Sequence, residues 1–513
     1  MRRSFHLVHP TVRRRLQRVL LACGVLTCAG LLSAGGAGAA VVADNGFTAT
    51  ANGYSFPNYG EGDGATDLNA RQMRRLFGRR VCSAIDENNK CTLTPEAQRW
   101  MEATNASMGG GHCFGMASTA QFFFMGIGEP PTPEPFGAPT TPELVFDGNS
   151  KLQSHIAYAW TLQLLPAVQN DARPTTPIKV VQRLRNDLKP GDARHVLTIY
   201  DQGGGHAITP TSVLNDGGGQ WRIAVYDNNW PEETRYVEVD GKANTWTYEL
   251  APGHVWSGNA KTKSLGLVRP AVGLGRQPCF ICPPKKGKRG ANVGKTMRLL
   301  WKADSDRGRH GALMIRDAKG NRSGCGAKGC VNRIPGVKMH QVATGAAPAW
   351  RHTPPPVFDL PTRKAYRVDI GSTGPKGRPA ETVSLIGRGF SVSASGIRLR
   401  KGEVDKFLIA KRARHVRFVS GSRKSEKPTI EITSSNVAGG ADYKIEIAPA
   451  GVNTGAGIGA EFDPDDRVLR LSNHRGDRVE RVKLTVTQYG HEQKQFDLEV
   501  KVRRGKVKRI PLD

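Results

Sequence analysis

Acidic side chains are scarce beside basic ones: 45 Asp and Glu stand against 74 Lys and Arg, a formal charge of +29. Apolar residues are few as well, at 38%, though not so few as to leave the chain disordered. Long apolar runs are nearly missing. The single run near bilayer length sits at the N-terminus, which excludes a polytopic membrane protein. The 60 glycines keep no period of three, which excludes collagen. Gly-rich stretches such as Gly217-Gly218-Gly219 lack a phosphate-loop lysine, and no helix-turn-helix accompanies the basic charge. A sequence-specific nucleic-acid reader is therefore not expected.

What the sequence does contain begins with a leader. Arg13, Arg14, Arg15 and Arg18 precede the apolar stretch Val19 to Leu32, and Ala37-Gly38-Ala39 fits a small-residue cleavage site. Residues 1–39 thus read as a signal peptide of a secreted, bacterial, extracellular or wall-associated protein with no transmembrane helix after cleavage. The remaining charge is uneven. Residues 40–275 hold 20 basic and 23 acidic groups, whereas residues 276–513 hold 48 and 22. The second half is expected to dock on an anionic polymer or surface, the plainer alternative being a solubilising Arg-rich face.

A chain of 513 residues has room for two to four domains. Residues 40–65 are rich in Gly, Asn and Asp and read as an irregular arm. Helices are expected at Leu68 to Phe77, from Thr94-Pro95 to about Ala106, from Cys113 through Met125, at Ser154 to Leu165 and at Lys179 to Leu188. Period-two segments follow, at Val196 to Tyr200, His206 to Leu214, Trp221 to Tyr226, Arg235 to Val239 and Thr245 to Leu250. Helices first and antiparallel strands second make an α+β layout over 66–275. Residues 276–294 read as a Pro/Lys/Gly linker. Nearly everything after it is β-like, giving a β-rich domain at 295–380 and a basic β-sandwich-like domain at 381–513.

Cysteine usage is informative because an exported chain favours disulfides. Cys23 and Cys28 leave with the leader. Cys82 and Cys91 bracket a short polar loop and can close it. Cys279, Cys282, Cys325 and Cys330 form a group of four that suits disulfides of open connectivity, or a four-thiolate zinc site as the minor alternative. No other metal or cofactor is expected. Cys113 is left over.

A thiol acts as a nucleophile through its thiolate, which the N-terminus of a helix favours. Cys113 follows Gly109-Gly110-Gly111, which let the backbone approach closely, and Gly115 is read as letting substrate pass beside the helix. His206, after Gly203-Gly204-Gly205, is the candidate base. His112 is read as a loop residue, and His310, His340 and His415 as surface. Asp227, Asn228 or Asn229 can orient the His206 ring.

GHCFGMA, GGHAITPTSV and VYDNNWP, taken in that order over roughly residues 66–255, resemble the nucleophile, histidine and third-residue segments of papain-like cysteine peptidases. The resemblance implies Cys113 as nucleophile, His206 as base and Asp227 as orienter, with Asn229 as the alternative. Relatives usually carry an oxyanion-donating Gln six residues before the Cys. Here Ser107 stands there, and Asn105 with the Cys113 N–H is the expected substitute. The Trp that often follows the nucleophile is missing too. The implied activity is hydrolysis of peptide or cell-wall amide bonds. The competing readings are an inactive scaffold serving surface binding or adhesion, and a cysteine acyltransferase.

Overall fold

The computed structural model describes residues 39–60, 64–201, 204–284, 294–303, 311–326, 329–345, 355–371, 380–413, 415–423, 426–435, 440–475, 479–489 and 493–512. Residues 1–38 of the expected leader, residues 285–293 of the expected linker, and His310 lie outside these.

Side chains alternate between faces along a strand, so a strand with one buried face repeats with period two. Tyr366–Gly371 shows this, with Tyr366, Val368 and Ile370 buried between less buried neighbours. Such segments dominate. Of the described residues 45% are strand and 20% helix, arranged as several antiparallel sheets. This corrects the expected α+β papain-like domain with helices leading. Strand Ala40–Asp44 precedes every helix and pairs with Gly204–Gly217. The first five residues of the expected irregular arm are therefore part of a sheet, while residues 45–48 and 53–60 are irregular as expected. The arm's Gly and Asn content hid a short Ala-Val-Val strand that draws its order from a distant partner.

The first nine-stranded sheet runs in the order His254–Asn259, Thr245–Ala251, Thr234–Asp240, Gln220–Tyr226, Gly204–Gly217, Val196–Asp201, Leu265–Val268 and Arg173–Thr175, with Ala40–Asp44 also on Gly204–Gly217. Helices Cys113–Met125 and Ser150–Thr161 pack on each other, and the first of them also meets strand Gly204–Gly217.

Two further nine-stranded sheets share one core, in which Leu299 and Val383 of one meet Leu313 and Phe407 of the other. Both sheets cross the expected boundary near 380. Thr296–Ala303 pairs with Glu381–Gly387 in one, and Tyr366–Gly371 pairs with Val404–Ile409 in the other. Residues 295–380 and 381–513 thus build a single double-sheet stack.

This stack is fastened to the first half. Helix Pro95–Met108 lies on it, with Arg99 paired to Glu431 and Glu96 bonded to Ser435. Part of the expected linker is also packed. Phe280 meets Phe77 and Trp100 edge-on at 5.8 and 5.7 Å, and the Ile281 carbonyl accepts from Gly389 N–H at 2.9 Å. Apolar residues between the two cysteines make this bend an anchor.

Disulfides join Cys82 to Cys91, Cys279 to Cys282 and Cys325 to Cys330. The zinc alternative is thereby corrected, since these four sulfurs are bonded to one another and not available as thiolates. Among the described residues no group of three or more His, Cys, Asp or Glu is placed to hold a metal ion. No described helix is long and apolar enough to cross a membrane. His340 is half-buried beside Asp359, 3.1 Å away, so the expectation of a surface residue is corrected there. His415 is likewise only part-exposed.

Candidate functional site

Three glycines end helix Pro95–Met108, and Gly111, at φ +124°, turns the chain in a conformation that favours glycine. The next helix then opens at Cys113, which is the free cysteine among the described residues and is fully buried. Gly115 has a different role from the expected one. A Cβ there would collide with the Ile156 carbonyl and touch Trp160, so Gly115 permits close helix packing and not substrate passage.

His206 lies on strand Gly204–Gly217, which pairs with Gln220–Tyr226 in a register that sets Thr209 opposite Tyr226. Asp227 follows Tyr226 directly and so returns toward His206. His206 Nε2 donates to Asp227 Oδ1 at 2.7 Å, and both side chains are wholly buried. Asp227 Oδ1 also accepts from Asn229 N–H at 2.8 Å, and its Oδ2 accepts from the Tyr248 hydroxyl. Burial pulls the His206 pKa down, but the Asp227 charge and hydrogen bond, joined by a hydrogen bond and charge from Cys113, push it up to about 10. Burial likewise opposes ionisation of Asp227, yet His206, Tyr248 and the Asn229 N–H hold its carboxyl below the usual range. With Nε2 engaged by Asp227, Nδ1 is the ring nitrogen that can face the thiol. Cys113, His206 and Asp227 are brought together in that order.

The other expected residues divide. Asn229 does not take Asp227's place: its Nδ2 lies 3.2 Å from His206 Nε2 and donates to the Gly345 carbonyl at 2.7 Å. Asn228 ties the helix to the histidine strand, donating to Cys113 O at 3.0 Å and Ala207 O at 3.1 Å. His112 stands in the loop before the helix, as expected, and is buried there, stacked on Tyr59 and 3.0 Å from Asp67. Asn105 is also corrected. Its amide donates to the Leu68 carbonyl at 2.9 Å, because its helix face turns toward that loop.

The side chain that donates beside the Cys113 N–H is that of Asn58, in the arm. His112 N–H donates to Asn58 Oδ1 at 2.7 Å, which fixes the amide so that Nδ2 points the other way. Nδ2 donates to the Thr344 carbonyl at 3.1 Å, and Cys113 N–H donates to the same oxygen at 3.3 Å. The flanking aromatics Tyr54, Phe56 and Tyr59 were the signal that this arm is packed and not loose.

Residues 342–345, from the second half of the chain, lie beside Cys113 and His206. Val342, Ala343 and Thr344 are buried. Thr344 N–H donates to Gly205 O at 3.0 Å. Gln163 clamps Ala343 at both backbone groups, accepting from its N–H at 2.9 Å and donating to its carbonyl at 3.2 Å. Gly110 gives Thr344 its space, since a Cβ there would lie 2.8 Å from Thr344 Oγ1.

No protein-family model matches the chain, and neither a curated protein nor a solved structure is similar to it.

Proposed function

We propose that the protein is a secreted thiol hydrolase that cleaves amide bonds of peptides or wall peptides. The observation that carries this reading is the meeting of a free thiol at a helix N-terminus with a buried, carboxylate-held imidazole. Cys113 Sγ attacks the carbonyl carbon, and His206 passes a proton to the leaving amine. Asp227 fixes the ring and balances its charge. Asn58 Nδ2 and Cys113 N–H bear the oxyanion, where donors count most because charge develops there. The order Cys, His, Asp supports kinship of chemistry with papain-like cysteine peptidases.

Three disulfides fit an oxidising, extracellular setting. The 48 basic groups of residues 276–513 support docking of the double-sheet stack on an anionic polymer. Hydrolysis of casein and of purified wall peptides by the wild-type chain and by Cys113→Ser tests the catalytic reading. Loss in the variant is expected, and equal hydrolysis by both proteins overturns it.

A further inference from the structure

The segment Val342–Gly345 is bound as a substrate is bound. A peptide awaiting thiol attack needs its carbonyl oxygen between the oxyanion donors, its preceding residues held extended, and its leaving nitrogen beside the acid. Different parts of the fold hold the oxygen and the residues before it, and Gly345 sits beside His206. The Thr344 oxygen receives Asn58 Nδ2 and Cys113 N–H. Thr344 N–H is bonded to Gly205 O, the residue before His206, and Ala343 is held at both backbone groups by Gln163. Gly345 lies against the base, since a Cβ on it would collide with His206 Nδ1. Its φ of +54° also favours glycine. Beyond the bond, the Gly345 carbonyl accepts from Asn229.

We propose that the protein cleaves its own chain between Thr344 and Gly345, an inference that rests on the thiol-hydrolase reading above. Cys113 Sγ bonds to the Thr344 carbonyl carbon. The bond from that carbon to the Gly345 nitrogen breaks, and the nitrogen takes a proton from His206. Water then hydrolyses the thioester, which leaves a Thr344 carboxylate and a Gly345 amine and restores the thiol. The product stays assembled, because strand Lys338–His340 on one side of the cut pairs with Val357–Pro361 on the other. All three disulfides lie before the cut, so denaturation alone parts the pieces. Departure of the new Thr344 end then opens the site to other peptides.

The test is intact mass and N-terminal sequencing of the full chain under denaturing conditions, followed over time at several protein concentrations. The expected result is a fragment beginning at Gly345, formed at a rate unchanged by dilution and not formed in Cys113→Ser or His206→Gln. Casein hydrolysis by Gly345→Val separates the two readings, because its side chain drives the segment off His206 while the triad remains. A whole wild-type chain with an active Gly345→Val overturns self-cleavage and leaves the hydrolase standing. A whole chain with an inactive Gly345→Val overturns both. The Gly345 fragment arising in folded Cys113→Ser, or at a rate proportional to concentration, also overturns the proposal.

Discussion

Asn58 and Cys113 converge on a single oxygen: the side-chain amide of one and the backbone N–H of the other donate to the Thr344 carbonyl at 3.1 and 3.3 Å. Removing one such donor typically costs about 10²–10³ in rate. Asn58→Ala is therefore expected to slow peptide hydrolysis by about 10²-fold. Iodoacetamide labelling of Cys113 is expected to persist, since His112 N–H keeps its second acceptor, the Tyr59 carbonyl at 3.1 Å. Hydrolysis within about twofold of wild type would remove Asn58 from the oxyanion role.

Asp227→Asn keeps the shape of the buried pair and deletes its charge. Comparable replacements lower turnover by about 10⁴ through the wrong imidazole tautomer, and a loss of about 10³–10⁴ is expected here. Stability responds as well. The His206 pKa is raised from 6.5 to about 10, so the stability it contributes is full below 6.5 and is lost as pH rises through 10. Denaturant midpoints between pH 7 and pH 10.5 are expected to fall in wild type and to lose this component in Asp227→Asn. Parallel curves for the two proteins would mean that the pair does not set the pH dependence.

Cys113, His206 and Asp227 were legible because each carries a local sign: a glycine run before a buried helix, a glycine run before a strand, and polar residues closing the next strand. Asn58 was not, since its role comes from His112 and Thr344, neither of them near it in sequence. Thr344 and Gly345 carry no local sign either. Only the packing of the double-sheet stack against the first half places them beside Cys113 and His206. The same limit explains the fold correction. Strand Ala40–Asp44 is five residues long and takes its order from residues 212–215. Periodicity reads neighbours along the chain, and pairing across it decides the sheet.

Gly115 offers a test in which two effects oppose each other. Replacing a helical glycine with alanine ordinarily stabilises, by up to about 0.5–1 kcal/mol in a helix interior. Here the added methyl would meet the Ile156 carbonyl and Trp160 in a fully buried contact, and overpacking of that kind costs about 1–3 kcal/mol. The collision is expected to win. Gly115→Ala should lower the thermal midpoint and slow hydrolysis, because the helix carrying Cys113 must move. An unchanged or raised midpoint would show that the two helices can part without cost.

The basic half predicts a salt signature. Contacts to several anionic groups release counterions, and such binding weakens steeply with salt. With inorganic polyphosphate as the probe, affinity is expected to fall more than about tenfold between about 50 and 200 mM salt. The isolated charge of residues 40–275, near neutral, gives no such attraction, so the effect belongs to residues 276–513. Polyphosphate binding that is weak at the lowest salt, or insensitive to salt, would leave the excess Lys and Arg as a solubilising surface.

Glu96 joins helix Pro95–Met108 to the double-sheet stack, and its position tests how burial and helix charge compete. A carboxylate in the first turn gains only about 0.3–1 kcal/mol from the helix dipole. Glu96 is wholly buried beside Asp442, and these two effects, burial foremost, push its pKa from 4.5 up to about 8, although Ser435 Oγ donates to it at 2.5 Å. The folded protein therefore holds the proton while the unfolded chain releases it. Stability from this group is full below pH 4.5 and is lost as pH rises through 8. Glu96→Gln keeps the neutral form at every pH. Its urea midpoint is expected to match wild type near pH 5 and to exceed it near pH 9, by a difference of about 1–3 kcal/mol. A wild-type midpoint that stays level from pH 5 to pH 9 would mean that Glu96 ionises inside the interface without penalty, and that the helix dipole and Ser435 outweigh burial there.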